Sequence, residues 1–583
     1  MTEGSSRGAG RPRTPTRRDV LAAGSAAATL GTWNAFGAFG GLGAAATIGA
    51  LGGCAPHPAA AYDGGWVGAS FERGHLLRSG MPATKSGAPP AVAAVRRCAA
   101  LVVGAGVAGL AAARALQKAG VDDVHVLELE DVAGGNSRGH TMSGMRCPLG
   151  AHYLPVPGES AVEVIELLDE LGVRKTVAGR AVYDERMLCH SPQERLFIGG
   201  GWRDGLLPPL EGLPQAERAP TLAAYRAFAA AVTAAGNDGA FAIPTAKARW
   251  SSALDALDAV TFSSWLDANG IVAPAMRWYL DYCCNDDYGA GSAQVSAWAG
   301  LHYFASRHGF RAPGSDDAHA GDAGDAVLTW PEGNAWLAER LASPLGDRLY
   351  AGRVVLGVEE TRDAVSIDAW NVAAQQRERW IAPRVVLSTP LFVSARLLQA
   401  PPPELVVAAR QVRHAPWLVA NLHLDAALDD RPGAPPSWDN VLYGSASLGY
   451  VDDMHQSTLP FAGPTVLTAY WALGGRSEAE LGAGRERLLR ETWSMWAGRV
   501  VADLATAHAD LPGKISRIDL MRYGHAMAVP SPGVRSSPAL RALAEVRGRI
   551  HFAHSDLSAY SVFEEAFYQG TRAGRAAAAR SIA

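Results

Sequence analysis

The stretch Ala99-Ala100-Leu101-Val102-Val103-Gly104-Ala105-Gly106-Val107-Ala108-Gly109-Leu110 decides the fold. An apolar run of strand length enters a glycine-rich turn. Small and apolar residues then continue with helical character to Ala119, where Gly120 ends the helix. Gly104 permits the tight turn, Gly106 lets the backbone approach a pyrophosphate, and Gly109 lets helix and strand pack closely. The N-terminus of the helix offers free N–H groups to phosphate charge. A second apolar run, 124–127, ends at Glu128, nineteen residues past Gly109. That is where a carboxylate is placed to bond ribose hydroxyls. A lone G-x-G-x-x-G says little. With a strand before it, a helix after it and an acid at the end of the next strand, it predicts a Rossmann-like, dinucleotide-binding α/β unit.

Working outward, the chain of 583 residues is too long for one ordinary domain. Its 48% hydrophobic content supplies large cores, and a net charge of −4 argues against a nucleic-acid partner. Six cysteines (Cys54, Cys98, Cys147, Cys189, Cys283 and Cys284) form no C-x-x-C or Cys/His zinc pattern, so no metal site is expected.

The first 54 residues read as an address. Thr16-Arg17-Arg18-Asp19-Val20-Leu21 is followed by no charge until Asp63, in a stretch mostly of Ala and Gly, and resembles a twin-arginine export signal. The alternative is a transmembrane anchor, long enough to span but too rich in glycine for a good apolar helix. Leu51-Gly52-Gly53-Cys54 resembles a bacterial lipobox, which would lipidate Cys54, anchor the protein to a membrane and place it in the periplasm or at the cell surface. The alternative is a chance cysteine beside an ordinary cleavage site. Residues 55–96, rich in Ala, Gly and Pro, read as a linker.

After Glu128 come five residues, Gly134-Gly135, then Asn136-Ser137-Arg138. Here the sequence resembles the flavin-containing amine oxidase superfamily, which also includes protoporphyrinogen oxidases and carotenoid desaturases. Asn136 stands where the first Arg of that pattern is usual. Pro148-Leu149-Gly150-Ala151-His152-Tyr153 resembles the family segment beside the isoalloxazine ring. It implies flavin contacts at Gly150 and Ala151, with His152 either flanking the flavin or serving as a structural turn histidine. Segments 328–334, 353–358 and 385–391 resemble the family's Pro-x-Gly turn, its adenine-contacting strand (with Val355 best placed) and its Thr-Pro strand. Near the end, 550–556 followed by Glu564-Glu565-Ala566 and Gly570 resembles the strand, acidic turn and final helix aimed at the flavin. By position Asp556 would bond the ribityl or phosphate portion, and the backbone near Phe563 the pyrimidine edge.

The resemblance implies FAD as cofactor. Family members that attach it covalently use a Cys shortly before the final motif, and no Cys follows Cys284, so that linkage is excluded and non-covalent FAD is expected. The expected organisation is a Rossmann-like FAD domain assembled from 97–155, 325–415 and 545–583, with an inserted α+β substrate domain from 156–324 and 416–544. The first insert reads as mostly helical, with periodic runs at 162–171 and 221–235. The second mixes strands at 418–424 and 465–470 with a helix near 486–504.

The stretch 278–289 joins aromatics to Asp286 and Asp287, which suits a small cationic amine as substrate. The alternative is a helix end with solvated acids. Tyr523 and His525 lie in a second aromatic and polar run, with His525 either functional or structural. Many amine oxidases of the family hold a Lys that orders a water at flavin N5. Here Trp417 occupies or adjoins that position, and no Lys lies between Lys247 and Lys514. The expected electron acceptor is oxygen or a quinone, and if the Lys–water pair helps flavin reoxidation, its absence predicts slow oxygen and a preferred quinone or protein acceptor. Three functions stay open: an exported FAD-dependent oxidoreductase taking hydride from an amine, a lysine-independent dehydrogenase or desaturase acting on a C–C bond, and a non-catalytic flavin-binding protein.

Overall fold

The computed structural model describes residues 62–80, 90–236, 239–314, 326–459, 462–546 and 548–579. The twin-arginine motif, Cys54 and residues 55–61 and 81–89 lie outside these. The apolar run quoted above forms the strand Ala100–Val103, buried on both faces, and the next forms Val124–Leu127. Both belong to a five-stranded parallel sheet in the order Leu349–Tyr350, Val124–Leu127, Ala100–Val103, Val385–Leu387, Ile550–Phe552. The sheet gathers strands separated by hundreds of residues, because parallel neighbours need crossovers and the long inserts lie within them. Its strands are short and mostly apolar, with His125 and His551 the polar exceptions, as suits a sheet covered on both faces.

The helices Val107–Lys118 and Phe563–Ala578 pack against each other over this sheet. Their contact is set by glycine. A Cβ on Gly570 would stand 2.1 Å from the Ala108 carbonyl oxygen, and one on Gly574 would stand 2.4 Å from that of Ala112. Gly109 does the same toward the sheet side of the turn, where a Cβ would lie 1.9 Å from Gly104 O. The last helix is thereby held against the first.

A second sheet of eight strands runs Asp63–Trp66, Ile515–Val529, Arg413–Leu424, Thr465–Ala472, Tyr450–Asp452, Asp439–Leu442, Glu194–Ile198, Gly201–Asp204. Along Arg413–Leu424, Leu418, Ala420 and Leu422 pack with Trp496 and Val500 of the helix Trp493–Leu504. The alternate positions Trp417 and Val419 join the other core, with the helices of the first insert. This period of two gives the strand one structural face and one facing the site.

Several boundaries differ from the sequence reading. The 55–96 segment is not simply a linker: Asp63–Trp66 joins the large sheet, Phe71–Ser79 is a helix, and Val92–Arg97 pairs with Gln376–Ala382. The small residues there satisfy sheet edges, and a Cβ on Gly64 would collide with Ile518 O at 1.7 Å. The first insert contributes strands Glu194–Ile198 and Gly201–Asp204 as well as helices. The 415/416 boundary falls inside the strand Arg413–Leu424. The helix expected at 486–504 is two, Glu478–Arg490 and Trp493–Leu504. They break where Thr492 caps the second helix by accepting the Met495 N–H.

Candidate functional site

A channel of about 360 Å³ runs along the C-terminal ends of the parallel strands. Gly104, Gly106, Glu128, Gly134, Gly135, Asn136, Ala151, Val355 and Phe563 all line it, bringing together residues from both ends of the family motif. Gly104 takes a left-handed φ of +97°, which turns the chain into the helix. A Cβ on Gly106 would meet nothing nearer than Gly135 Cα at 3.9 Å, so the protein itself leaves this space open. The helix Val107–Lys118 begins at Gly106 without a side-chain cap, and Phe563–Ala578 begins at Val562 without one. Two sets of backbone N–H groups are therefore left for a ligand.

Glu128 is buried, yet its carboxylate is well supplied with donors: Oε2 accepts from Ala105 N at 2.7 Å and Oε1 from Glu130 N at 2.9 Å. Each oxygen keeps acceptor capacity for ribose hydroxyls. Burial nevertheless pushes its pKa up, against the lowering effect of those bonds. Two guanidinium groups, Arg73 and Arg353, also line the channel. Open space at Gly106, two uncapped helix ends, a ribose acceptor and two cations fit a phosphorylated dinucleotide.

The channel is continuous with an inner cavity through shared walls at Asn136, Ala151, Ala526, Val562 and Phe563. Trp417, Val419, Tyr470 and Tyr523 form one side of this cavity. They share a face because Trp417 lies opposite Tyr523, and Val419 opposite Tyr470, across the strand pairs. Tyr523 Oη donates to Leu149 O at 2.8 Å and Tyr470 Oη to Gly150 O at 3.1 Å. The segment 149–150 is thus fixed from two strands, and Gly150 is required where a Cβ would lie 2.1 Å from Asn136 O.

His152 also lines the cavity. It stacks on Tyr470 at 4.5 Å, and burial lowers its pKa to about 3, so it is neutral at physiological pH. Asp286 and Asp287 lie at the end of the helix Pro274–Tyr288 and line the far wall. Asp287 accepts from Tyr560 Oη and stands 4.0 Å from Arg307, which pairs with Glu564 at 2.9 Å. Asp286 is pushed up to about 7, first by burial and then by Asp287.

Three expected roles are corrected. Asp556 does not line the channel. It is fully buried, with Oδ1 at 2.9 Å from His414 Nε2 and Oδ2 accepting Leu391 N–H at 2.9 Å. Burial opposes its charge, but His414 and His554 outweigh burial and hold its carboxyl well below the usual range. Its neighbours His554 and Ser555 face the channel instead, because residues 555–558 coil into a short 3-10 turn. Arg138 is likewise turned away: it donates to Gly135 O at 2.9 Å and Gly68 O at 2.8 Å, bracing the loop. His525 lines the dinucleotide channel rather than the inner cavity. Opposite the two-residue step Ala415 to Trp417, the partner strand advances from Met527 to Tyr523, and this irregularity turns His525 out while Ala526 and Met527 point in. Gly109 acts by packing alone.

Sequence reasoning missed Arg73, Arg353, Tyr470 and Arg307. For Arg73 a signal existed: Ser70 followed by Glu72 and Arg73 is a helix start inside an otherwise Ala/Gly/Pro-rich stretch. None of the four described lysines lines the channel or the inner cavity; Lys514 is held by Asp429 and Asp510, at 2.7 and 2.8 Å.

Residues 107–578 match the family described as flavin containing amine oxidoreductase. No curated protein matches the sequence significantly. Among solved structures, putrescine oxidase bound to putrescine is 19% identical, covering 83% of this chain and 100% of its own, with a TM-score of 0.57. Cyclohexylamine oxidase from Brevibacterium oxydans is 18% identical, covering 83% and 99%, with a TM-score of 0.59. A fatty acid isomerase from P. acnes that produces CLA is 16% identical, covering 81% and 97%, with a TM-score of 0.53. At these identities the three share its fold. With four-fifths of its length matched by the family and a channel fitted to the cofactor, the chain belongs to the flavin containing amine oxidoreductases and is an FAD-dependent oxidoreductase.

Proposed function

We propose that the protein oxidises a small amine, with FAD held non-covalently along the channel and the substrate in the inner cavity. The observation that carries this reading is Asp286. A carboxyl without a hydrogen-bond or ion-pair partner among the described residues faces an aromatic cavity joined to the dinucleotide channel. When bound, FAD supplies hydride acceptance at N5. Gly106, Glu128, Arg73 and Val355 would hold its adenosine and phosphate portions. Trp417, Val419, Tyr470 and Met527 exclude water and confine the substrate's carbon chain. Asp286 attracts the ammonium and ionises readily in its presence. His152, being neutral, adds no competing charge. Non-covalent binding is supported by the absence of any described cysteine from the walls of the channel and inner cavity.

Trp417 and the lack of a cavity lysine among the described residues favour a second reading, a dehydrogenase or desaturase acting on a C–C bond. The acceptor we propose is a quinone in preference to oxygen. Export by the twin-arginine route, with Cys54 as a lipid anchor, remains part of the proposal on sequence grounds. Anaerobic mixing of the holoprotein with a panel of amines tests the reading. Amines should bleach the flavin's visible absorption. Bleaching by light but by no amine would reject amine oxidation, and reduction by unsaturable C–C substrates alone would establish the second reading.

A further inference from the structure

A cavity of about 370 Å³ lies on the face of the eight-stranded sheet that carries Leu418, Ala420 and Leu422, turned away from the inner cavity. None of its lining residues lines the dinucleotide channel or the inner cavity. The strands assemble it. Arg195 pairs in register with Asn440, and Asn440 with Tyr450, so the three stand side by side across three strands. Asp452 follows two residues after Tyr450, on the same face. Glu194 and Asp439, one position back, point to the opposite face, where with Asp286 they line an outer chamber beyond His152 and Tyr153. Arg195 is 4% exposed. Its guanidinium lies 4.0 Å from the Trp202 ring and donates to Asn440 Oδ1 at 2.5 Å, Ala434 O at 3.3 Å and Tyr450 Oη at 3.5 Å. All of these partners are neutral, and no carboxylate reaches ion-pair distance of it among the described residues. A guanidinium keeps its charge when buried, and buried charges are as a rule paired.

Asp452 is partly buried, and its Oδ1 accepts from Thr465 Oγ1 and from Met454 N–H at 3.1 Å. No cationic side chain reaches ion-pair distance of it among the described residues, and burial raises its pKa in spite of those two bonds. The other charges at the cavity are already paired or solvated. Arg431 pairs with Asp510, Asp429 pairs with Lys514 at 2.7 Å, and Asp430 is exposed. His508, 2.7 Å from Tyr450 Oη, is lowered to about 4, first by burial and then by Arg195, and is neutral. One guanidinium and one carboxyl therefore face the same space without closing on each other. We propose that this cavity binds a zwitterion of the amino-acid class, with its carboxylate on Arg195 and its ammonium toward Asp452. A carboxylate matches the planar fork of a guanidinium, and an ammonium beside Asp452 favours the charged form of that side chain. A simple anion would leave Asp452 without a cation, and a simple ammonium would leave Arg195 without an anion. The site stands outside the flavin machinery, and the inference does not depend on the amine reading.

The test is calorimetric titration of the oxidised, anaerobic holoenzyme with glycine, γ-aminobutyrate and ε-aminocaproate, which space the two charges by increasing lengths. Acetate, butyrate and hexanoate, which lack the ammonium, are titrated beside them. The flavin's visible spectrum is followed in parallel, because a ligand in the inner cavity would lie against the ring and perturb it. At least one zwitterion should bind about 10-fold or more tightly than its matched carboxylate, the worth of one charge-assisted hydrogen bond, with the flavin spectrum unmoved. D452N should erase that advantage and leave carboxylate binding in place. Arg195→Gln should weaken both kinds of ligand by about 30-fold or more. FAD content and the visible spectrum report intact folding, and D452N alone decides the matter should Arg195→Gln not fold. Binding of no zwitterion, or equal binding of each zwitterion and its matched carboxylate, would overturn the site. So would a zwitterion advantage that D452N leaves intact, with or without a flavin shift.

Discussion

Replacing Glu128 with alanine separates the two tasks of one carboxylate. In the protein without cofactor, the change removes the acceptor for Ala105 N–H at 2.7 Å and Glu130 N–H at 2.9 Å. Both are charge-assisted bonds at a residue 8% exposed. Two such bonds are worth about 3–5 kcal/mol, and water reaching the open channel recovers part, leaving a loss of about 2–4 kcal/mol. In the holoprotein, one or two ribose hydroxyls also lose their acceptor, for a further ~1.5–3 kcal/mol, or about 10- to 150-fold in FAD affinity. Glu128→Gln keeps one acceptor oxygen and should fall between. Denaturant unfolding of the apoprotein and fluorescence titration with FAD measure the two separately. Wild-type stability and wild-type FAD affinity in Glu128→Ala would refute the assignment. Lost stability with unchanged affinity would show that the carboxylate serves only the loop.

Three other outcomes are expected. Gly570→Ala forces a Cβ to within 2.1 Å of Ala108 O and must push the last helix off the first; a loss of about 2–4 kcal/mol is expected by thermal unfolding, together with weaker FAD binding. Reduced holoprotein mixed with air-saturated buffer should reoxidise more slowly than with a quinone analogue, because Trp417 lies in the cavity and no described lysine does; equal rates would count against it. Arg17→Lys with Arg18→Lys should leave folded holoprotein in the cytoplasm, and Cys54→Ser should free it from membranes; attachment unchanged by Cys54→Ser would favour a transmembrane anchor.

The cofactor half was legible because its information is local. The turn at Gly104, the open space at Gly106 and the acid at the end of the next strand are each set by a few neighbouring residues. What escaped depends on side-chain direction or on distant pairing. Asp556 directly follows two channel-facing positions, His554 and Ser555, and only the coil of its short turn decides that it points inward to His414. His525 and Met527 share parity along their strand, so simple alternation puts both in the cavity; the irregularity opposite Ala415 separates them. Arg73 lay in a segment whose Ala/Gly/Pro content masks a helix start. The carboxyls of the outer chamber meet only because Glu194 and Asp439, from different inserts, become strand partners. Asp286, by contrast, was visible as an acid among aromatics.

The most direct measurement is a structure of the holoprotein with FAD and a non-reacting amine. The account predicts non-covalent FAD with its pyrophosphate at Gly106, its adenosine at Glu128 and Val355, and its ring between Ala151 and Phe563. The amine should lie between Trp417 and Tyr470 with its charge toward Asp286. A ring placed away from Ala151 and Phe563, a covalent bond to the protein, or an amine whose charge points away from Asp286 would contradict it.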